Sequence, residues 1–159
     1  MKASPTLASN LQMVLTDLIE LHLQGKQAHW NLVGTNFRDL HLQLDEIVTA
    51  ARLFADDVAE RMRALHALPD GRSSTVTADN RLAEFPAGLT STKDTVKLIT
   101  ARLERTVTTM RDVHDDVDDE DPTSADLLHK IIERLEQLAW MVNAETMAPS
   151  AAVTEPASK

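Results

Sequence analysis

Cysteine is absent from the 159-residue sequence, and aromatic residues make up only 3% of it. Without cysteine the chain forms no disulfide and performs no thiol chemistry, which fits a cytoplasmic protein. With so few aromatic residues, a core drawn from the 43% of apolar residues has to be aliphatic. The sequence also lacks an N-terminal apolar segment and any long apolar run, so it predicts neither a signal peptide nor a membrane span.

Glycine is scarce as well, with 4 residues, whereas alanine, leucine and glutamate are common. This composition favours helix over sheet, and the length suits one domain. The 25 acidic residues outnumber the 16 basic ones and give a formal net charge of −9. A chain of this charge attracts cations and does not attract a polyanion over its whole surface.

Apolar residues at helical spacing predict four long helices. The first should run from about Thr6 to Val33 and the second from about Asn36 to Leu68. Because their connection is very short, these two should be antiparallel neighbours. The third should follow Ser91 as its N-cap, and the fourth should start at Asp121, with Pro122 in the first helical position.

The connection over residues 69–90 is rich in Ser, Thr, Asp and Pro, and a short helix is predicted within it near Thr77–Glu84. Fully extended it spans about 70 Å, whereas the second helix is only about 48 Å long. The connection can therefore return along the bundle and make the second and third helices parallel. We expect an all-α four-helix bundle over residues 1–147 and a disordered C-terminal tail over 148–159.

One face of the second helix carries a spaced set of metal-type ligands. His41 and Asp45 are four residues apart, as are Asp56 and Glu60, and eleven residues separate Asp45 from Asp56, so all four share one stripe. The two pairs are about 16 Å apart along the helix, whereas ligands must approach an ion to roughly 2.0–2.2 Å. One copy cannot close such a site, but two antiparallel copies related by a two-fold axis can, and they would form it twice. The alternative is that these acids are plain surface charge and that His29, beside Trp30, is a core histidine.

The segment from Lys26 to Arg61 resembles the signature of the Dps family, the mini-ferritins. The resemblance rests on the pattern K-x-x-H-W-N-x-x-G-x-x-F-x-x-L-H-x-x-L-D-E followed by D-D-x-A-E-R. It implies a ferritin-like bundle that assembles into a hollow homo-dodecamer. It also implies a ferroxidase centre that oxidises Fe(II) with hydrogen peroxide, or less efficiently with O2, and stores ferric mineral, which protects against oxidative stress. The implied iron ligands are His29, His41 and Asp45 from one subunit and Asp56 and Glu60 from its two-fold mate.

Imidazole and carboxylate ligands without thiolate suit iron, manganese or zinc, so Zn²⁺ is a candidate competitor. Lys26, near His29, either forms a salt bridge at the site or is simply exposed. Trp30, near the site, is expected either to take up stray oxidising equivalents or to pack at an interface. Di-iron centres inside one bundle use two Glu-x-x-His motifs. The nearest match is Asp126-x-x-His129, which again favours a site at the subunit boundary.

The acidic run 115–121 is either a solvated turn or part of an entry route for cations. The resemblance implies that Asp121 and Asp126 line three-fold pores through which ferrous ions enter. Glu46 and Asp57 are candidates for mineral nucleation on the inner surface.

Many members of the family bind DNA through tails rich in lysine and arginine. Here the N-terminal leader has only Lys2, and the C-terminal tail has Lys159 together with Glu155, so neither tail forms a basic arm. Two other functions remain as alternatives. One is a nucleoid-associated, DNA-binding protective shell, and the other is a bundle whose site is inert or filled with zinc.

Overall fold

The computed structural model describes residues 1–150, and it contains four long helices, one short helix and two strands of two residues. In chain order the elements are α1 (Pro5–Asn31), β1 (Leu32–Val33), α2 (Phe37–Ala64), α3 (Ser73–Asp79), β2 (Thr90–Ser91), α4 (Thr92–Glu120) and α5 (Pro122–Ala144). The prediction of an all-α four-helix bundle with a long crossover is confirmed. Most of the tail that was predicted to be disordered, residues 151–159, lies outside the described residues.

The core is aliphatic, as the composition predicts. Leucine, isoleucine and valine side chains from all four long helices are fully buried; examples are Leu11, Leu44, Ile99, Leu103 and Ile131. Burying a side chain of this size stabilises the fold by about 1.5–3 kcal/mol relative to leaving it in water.

The direction of each helix follows from contacts at the two ends of the bundle. At one end β1 pairs in parallel with β2, Leu32 opposite Thr90, so the end of α1 lies beside the start of α4. At the other end the Ser4 backbone N–H and hydroxyl donate to the Glu120 carboxylate. Helices α1 and α4 are therefore antiparallel. Because the very short connection between α1 and α2 makes these two helices antiparallel as well, α2 and α4 are parallel, as the length of the crossover predicts. The strands themselves were not predicted, because two residues carry no periodicity.

Helix α2 ends at Ala64, four residues before the predicted end at Leu68. His66 adopts a left-handed conformation with φ of 60°. Its N–H donates to the Arg63 carbonyl, and the Ala67 N–H donates to the Met62 carbonyl. This is a Schellman ending with histidine where glycine is usual.

A buried polar seam between α1 and α4 holds the crossover. Asn10, Asp17 and Gln24 follow one another at seven-residue spacing on α1, and all three are buried. Opposite them, buried Arg102 donates to Gln24 Oε1 at 2.9 Å and to the backbone carbonyls of Ala83 and Glu84 at 3.1 and 3.0 Å.

These contacts explain why the short helix is Ser73–Asp79 and not Thr77–Glu84 as predicted. Asn80 closes α3 by donating to the Val76 carbonyl and accepting from the Leu82 N–H. The Arg81 N–H donates to Asp17 at 2.8 Å, and the Ala83 carbonyl accepts from Gln24 and Arg102. Backbone groups bound to other helices in this way cannot continue a helix of their own.

The helix starts predicted at Asn36, Ser91 and Asp121 are right in position, but of these three residues only Ser91 caps its helix with its side chain. Ser91 caps α4 and accepts from the Asp94 N–H at 3.1 Å. Asn36 and Asp121 occupy the N-cap positions of α2 and α5 without a side-chain capping bond. Among the described residues, no helix is both long and apolar enough to span a membrane.

Candidate metal centre

The site begins where α1 and α2 come closest together. Gly25 faces Val48, and a Cβ at position 25 would lie only 2.8 Å from Val48 Cγ2. The missing side chain lets the two helices approach one turn before His29. Sequence reasoning did not identify this close approach.

His29 and His41 form a stacked pair between the two helices, with ring centroids 3.6 Å apart. Each ring Nδ1 lies 3.0 Å from the backbone carbonyl oxygen of the other histidine. Because a carbonyl oxygen only accepts, each Nδ1 carries the proton and donates it. In the neutral rings the lone pair is then on Nε2, the atom left to bind a metal.

Asp45 lies one turn beyond His41 and is half-buried, with 44% of its side chain exposed. Its Oδ1 is 3.4 Å from His29 Nδ1 and is bonded to the Lys26 ammonium group, so the predicted salt bridge is present. The hydrogen bond from Lys26 is the main reason why the pKa of Asp45 is below its usual value. At neutral pH the carboxylate is therefore ionised and already has a cation beside it.

Asp56 and Glu60 lie on the same helix, but one chain does not bring them to the histidines. Both are exposed, and Asp56 is about 16 Å from Asp45 along the axis at 1.5 Å per residue. Within residues 1–150, no three His, Cys, Asp or Glu side chains converge closely enough to hold a metal ion. One chain thus stacks His29 on His41 and places Asp45 beside His29, but it does not close a metal site, and Asp56 and Glu60 lie further along α2.

Large apolar side chains surround this stripe and are exposed to solvent. Trp30 is 69% exposed and Leu53 is 62% exposed, and Leu23 and Leu42 are about half exposed. Exposed apolar clusters of this kind mark interaction surfaces. The surface that carries the candidate ligands is therefore also suited to contact another protein surface.

The two predicted pore residues lie in very different environments. Asp121 is only 5% exposed, and it accepts from Arg61 Nη2 at 2.7 Å and from the Ser124 hydroxyl. Burial alone would raise the pKa of Asp121, but the bonds from Ser124 and Arg61 outweigh it and hold the pKa below its usual value. The side chain of Asp126 is 87% exposed. Of these two residues, only Asp126 presents its carboxylate to solvent in the single chain.

The two candidate nucleation acids are both paired with cations of α5. Asp57 lies 3.3 Å from Lys130 Nζ, and Glu46 lies 3.7 Å from Arg134 Nη2. The negative charge of each of these two acids is therefore compensated within the single chain. Sequence reasoning missed both pairs, as it missed the bond from Arg61 to Asp121, because their partners are far away in the chain.

Comparison with known proteins then places the chain in a family. A family model described as a ferritin-like domain matches residues 8–147. "DNA protection during starvation protein 2" of Deinococcus radiodurans is 38% identical over 134 residues, which cover 84% of this chain and 56% of that protein. The chain belongs to the Dps family of ferritin-like proteins. Because it spans only 56% of the length of that Deinococcus relative, it corresponds to part of the longer protein.

Other Dps proteins match over most of their own length. The "DNA protection during starvation protein" of Mycolicibacterium smegmatis is 32% identical over 90% of this chain and 78% of the relative. The solved structure of Dps from Microbacterium arborescens in the high iron form has a TM-score of 0.84 and 32% identity, covering 91% of this chain and 97% of that one. The Dps fold thus accounts for the whole bundle described above.

Proposed function

We propose that this Dps-family protein is an iron-oxidising and iron-storing mini-ferritin whose ferroxidase centre is shared between two copies of the chain. The observation that carries the proposal is the arrangement of His29, His41 and Asp45. Backbone carbonyls accept both Nδ1 protons, which leaves the two Nε2 atoms available to a metal, and the ionised Asp45 carboxylate lies beside the His29 ring. Neutral imidazole and carboxylate are suitable ligands for ferrous iron.

The remaining ligands would come from the second copy. Asp56 and Glu60 are exposed, lie on the same helix face as His41 and Asp45, and are about three turns away. Two α2 helices crossing antiparallel would place Asp56 and Glu60 of one chain against the histidines of the other, and the two-fold axis would produce two equivalent sites. The exposed Trp30, Leu42 and Leu53 would be covered by the same contact.

Iron is the substrate of the reaction. Two ferrous ions each give one electron to hydrogen peroxide, whose O–O bond breaks, and hydrolysis of the ferric ions to oxyhydroxide releases four protons. The carboxylates favour the ferric product because its charge is higher. Lys26 must leave Asp45 when the metal cation takes its place. O2 would act as the slower oxidant.

Storage of the ferric product requires a closed shell, and we infer a homo-dodecamer. Support comes from membership of the Dps family and from the relative that was solved in a high iron form. Asp126 is placed by the same inference at the pore through which ferrous ions enter, and its exposure fits that role. The protein would act in the cytoplasm and protect it by consuming ferrous iron and peroxide together.

Ferrous oxidation by stoichiometric hydrogen peroxide, followed by absorbance, tests the proposal. We expect Asp56→Ala with Glu60→Ala to slow the reaction at least tenfold in an assembly of unchanged size. The control is Glu104→Ala with Asp112→Ala, which removes two exposed carboxylates from α4 and leaves the rate as it is. An unchanged rate in the first variant would refute the ferroxidase assignment and favour an inert or zinc-filled site.

DNA binding is the second candidate function, and the names of the Deinococcus and Mycolicibacterium relatives favour it. The net charge of −9 and the scarcity of basic residues in both tails oppose it. Gel shift at rising salt separates the two functions, because binding that depends on phosphate contacts must weaken steeply with salt. We expect no shift even at low salt.

A further inference from the structure

Arg52 is the only basic residue between Asp45 and Asp56 in the sequence. It follows His41 by eleven residues, the same separation that relates Asp45 to Asp56, so it lies on the same stripe of α2 as the candidate ligands. Its side chain is exposed. The ligand set proposed above does not include it, because a guanidinium group has no lone pair to offer a metal.

The surface of α2 around Arg52 forms two adjoining grooves. Arg52 and Asp56 line one of them, together with Thr49 and Leu53. Thr49 and Leu53 also line the neighbouring groove, which holds Asp45. Arg52 therefore lies in the depression that joins the two halves of the candidate centre.

Arg52 differs from the cations around it in having no counter-charge. Three other cations pair with acids of α2: Lys26 with Asp45, Lys130 with Asp57 and Arg134 with Glu46. Within residues 1–150, no salt bridge involves Arg52. Its neighbour on α1 is His22, whose pKa is lowered by burial and then by the charges of Arg52 and Lys26. The guanidinium group is thus available to a ligand that carries or develops negative charge.

The two-copy arrangement proposed above would put Arg52 at the edge of the shared centre. The antiparallel crossing that sets Asp45 of one copy against Asp56 of the other also sets Thr49 against Arg52, since both positions move by about one turn. Arg52 would then lie one turn from Asp56 on its own helix and one turn from Asp45 of the other copy. Each of the two equivalent centres would have one such arginine.

We propose that Arg52 binds the hydrogen peroxide that oxidises the iron, a role that rests on the proposed function. A guanidinium group donates parallel hydrogen bonds in a fixed plane, and here they go to the two oxygen atoms of the oxidant. Two ferrous ions supply one electron each, the O–O bond breaks, and two hydroxide ions form. Negative charge develops on both oxygens as the bond breaks, and a cationic donor in a fixed position stabilises it.

The rate of ferrous oxidation as a function of peroxide concentration, at saturating ferrous iron, tests the proposal. In Arg52→Ala we expect kcat/KM for peroxide to fall at least tenfold, mainly through a higher KM. Arg52→Lys keeps the charge without the planar fork, so it should lose about threefold, and it decides the matter if the alanine variant does not assemble. Added guanidinium chloride, below denaturing concentration, should restore part of the loss in Arg52→Ala. The control Arg111→Ala removes an exposed arginine from α4 and should keep the wild-type value.

Azide binding to the Co²⁺-loaded protein gives a readout that involves no oxidation. Co²⁺ accepts imidazole and carboxylate ligands, and azide is a small anion whose binding changes the visible spectrum of the metal. We expect azide to bind at least fivefold more weakly to Arg52→Ala than to wild type, at equal cobalt content and equal assembly size. Arg111→Ala should bind azide as wild type does.

The inference is overturned if Arg52→Ala keeps the wild-type kcat/KM, or if only its kcat falls and its affinity for azide is unchanged. The second result would show that Arg52 acts on the structure of the site and not on the oxidant. The variant Asp56→Ala with Glu60→Ala separates this failure from failure of the proposed function. If that variant loses oxidation while Arg52→Ala does not, only the peroxide role is refuted, whereas unchanged oxidation in both refutes the ferroxidase centre itself.

Discussion

At the scale of the residue, the chemistry of this protein depends on which atom of each ring is already bonded. His29 and His41 commit their Nδ1 atoms to each other's backbone carbonyl. In the proposed centre, the Nε2 face of both imidazoles would therefore be set before any metal arrives, which would lower the cost of ordering the ligands.

Lys26 is predicted to compete with the metal for Asp45. Its ammonium group is bonded to the carboxylate where a metal cation would lie. In Lys26→Ala we expect the affinity for Zn²⁺ at neutral pH to rise about two- to fivefold, because a partly exposed pair of this kind contributes less than about 1 kcal/mol. Isothermal titration calorimetry measures the change. A fall in affinity would show that Lys26 supports the site.

Asp121 is predicted to make stability depend on pH. Its pKa in the folded protein is below its usual value, which is about 3.9 in an unfolded chain. The stabilisation is therefore complete at neutral pH and is lost as the pH falls from about 4 toward the lower folded pKa. Asp121→Asn should cost about 2–3 kcal/mol at pH 7, because it leaves Arg61 without its counter-charge.

Urea unfolding of both proteins at pH 7 and pH 3 checks this prediction. The difference between wild type and Asp121→Asn should shrink at the lower pH, since the unfolded wild-type chain then binds a proton at this carboxyl more readily than the folded protein does. A difference that stays constant over this range would mean that the pair with Arg61 contributes nothing to stability.

At the scale of the element, apolar periodicity was sufficient to find all four long helices. It could not find their ends where tertiary contacts set them. The left-handed His66 ends α2 early, and bonds from Asp17 and Arg102 keep the segment after Asn80 out of a helix. Such contacts join residues far apart in the chain, so no local pattern reveals them.

Arg102 is predicted to hold the crossover on the bundle. It is buried, and its guanidinium group bonds Gln24 and the carbonyls of Ala83 and Glu84. Arg102→Ala should lower the free energy of unfolding by about 3 kcal/mol, because it leaves buried acceptors unpaired. It should also speed proteolysis within residues 80–90.

The matched control is Arg111→Ala, which breaks an exposed pair with Glu136. Exposed pairs contribute at most about 1 kcal/mol, so this variant should stay close to wild type in urea unfolding and in proteolysis. Equal effects of the two substitutions would contradict the role assigned to Arg102.

At the scale of the whole molecule, the spacing of His41, Asp45, Asp56 and Glu60 along α2 was enough to predict a site shared between copies. It could not reveal how His29 and His41 orient each other, because that depends on the close approach of α1 and α2 at Gly25. It also could not reveal that Asp121 is buried against Arg61, because that contact joins α2 to the start of α5.

The central claim, a ferroxidase centre shared between chains, is tested most directly by mixing two defective chains. One carries His41→Ala with Asp45→Ala, and the other carries Asp56→Ala with Glu60→Ala. The two are unfolded together, refolded at equal concentration and assayed for ferrous oxidation by hydrogen peroxide. Each mixed pair of chains contains one complete site and one that lacks all four ligands.

If the centre is shared, each variant alone is inactive and the mixture regains about a quarter of the wild-type rate, since random pairing makes half of the pairs mixed and half of their sites intact. If all ligands came from one chain, no complete site would exist in the mixture. A mixed assembly of wild-type size with no more activity than either variant alone would contradict the account.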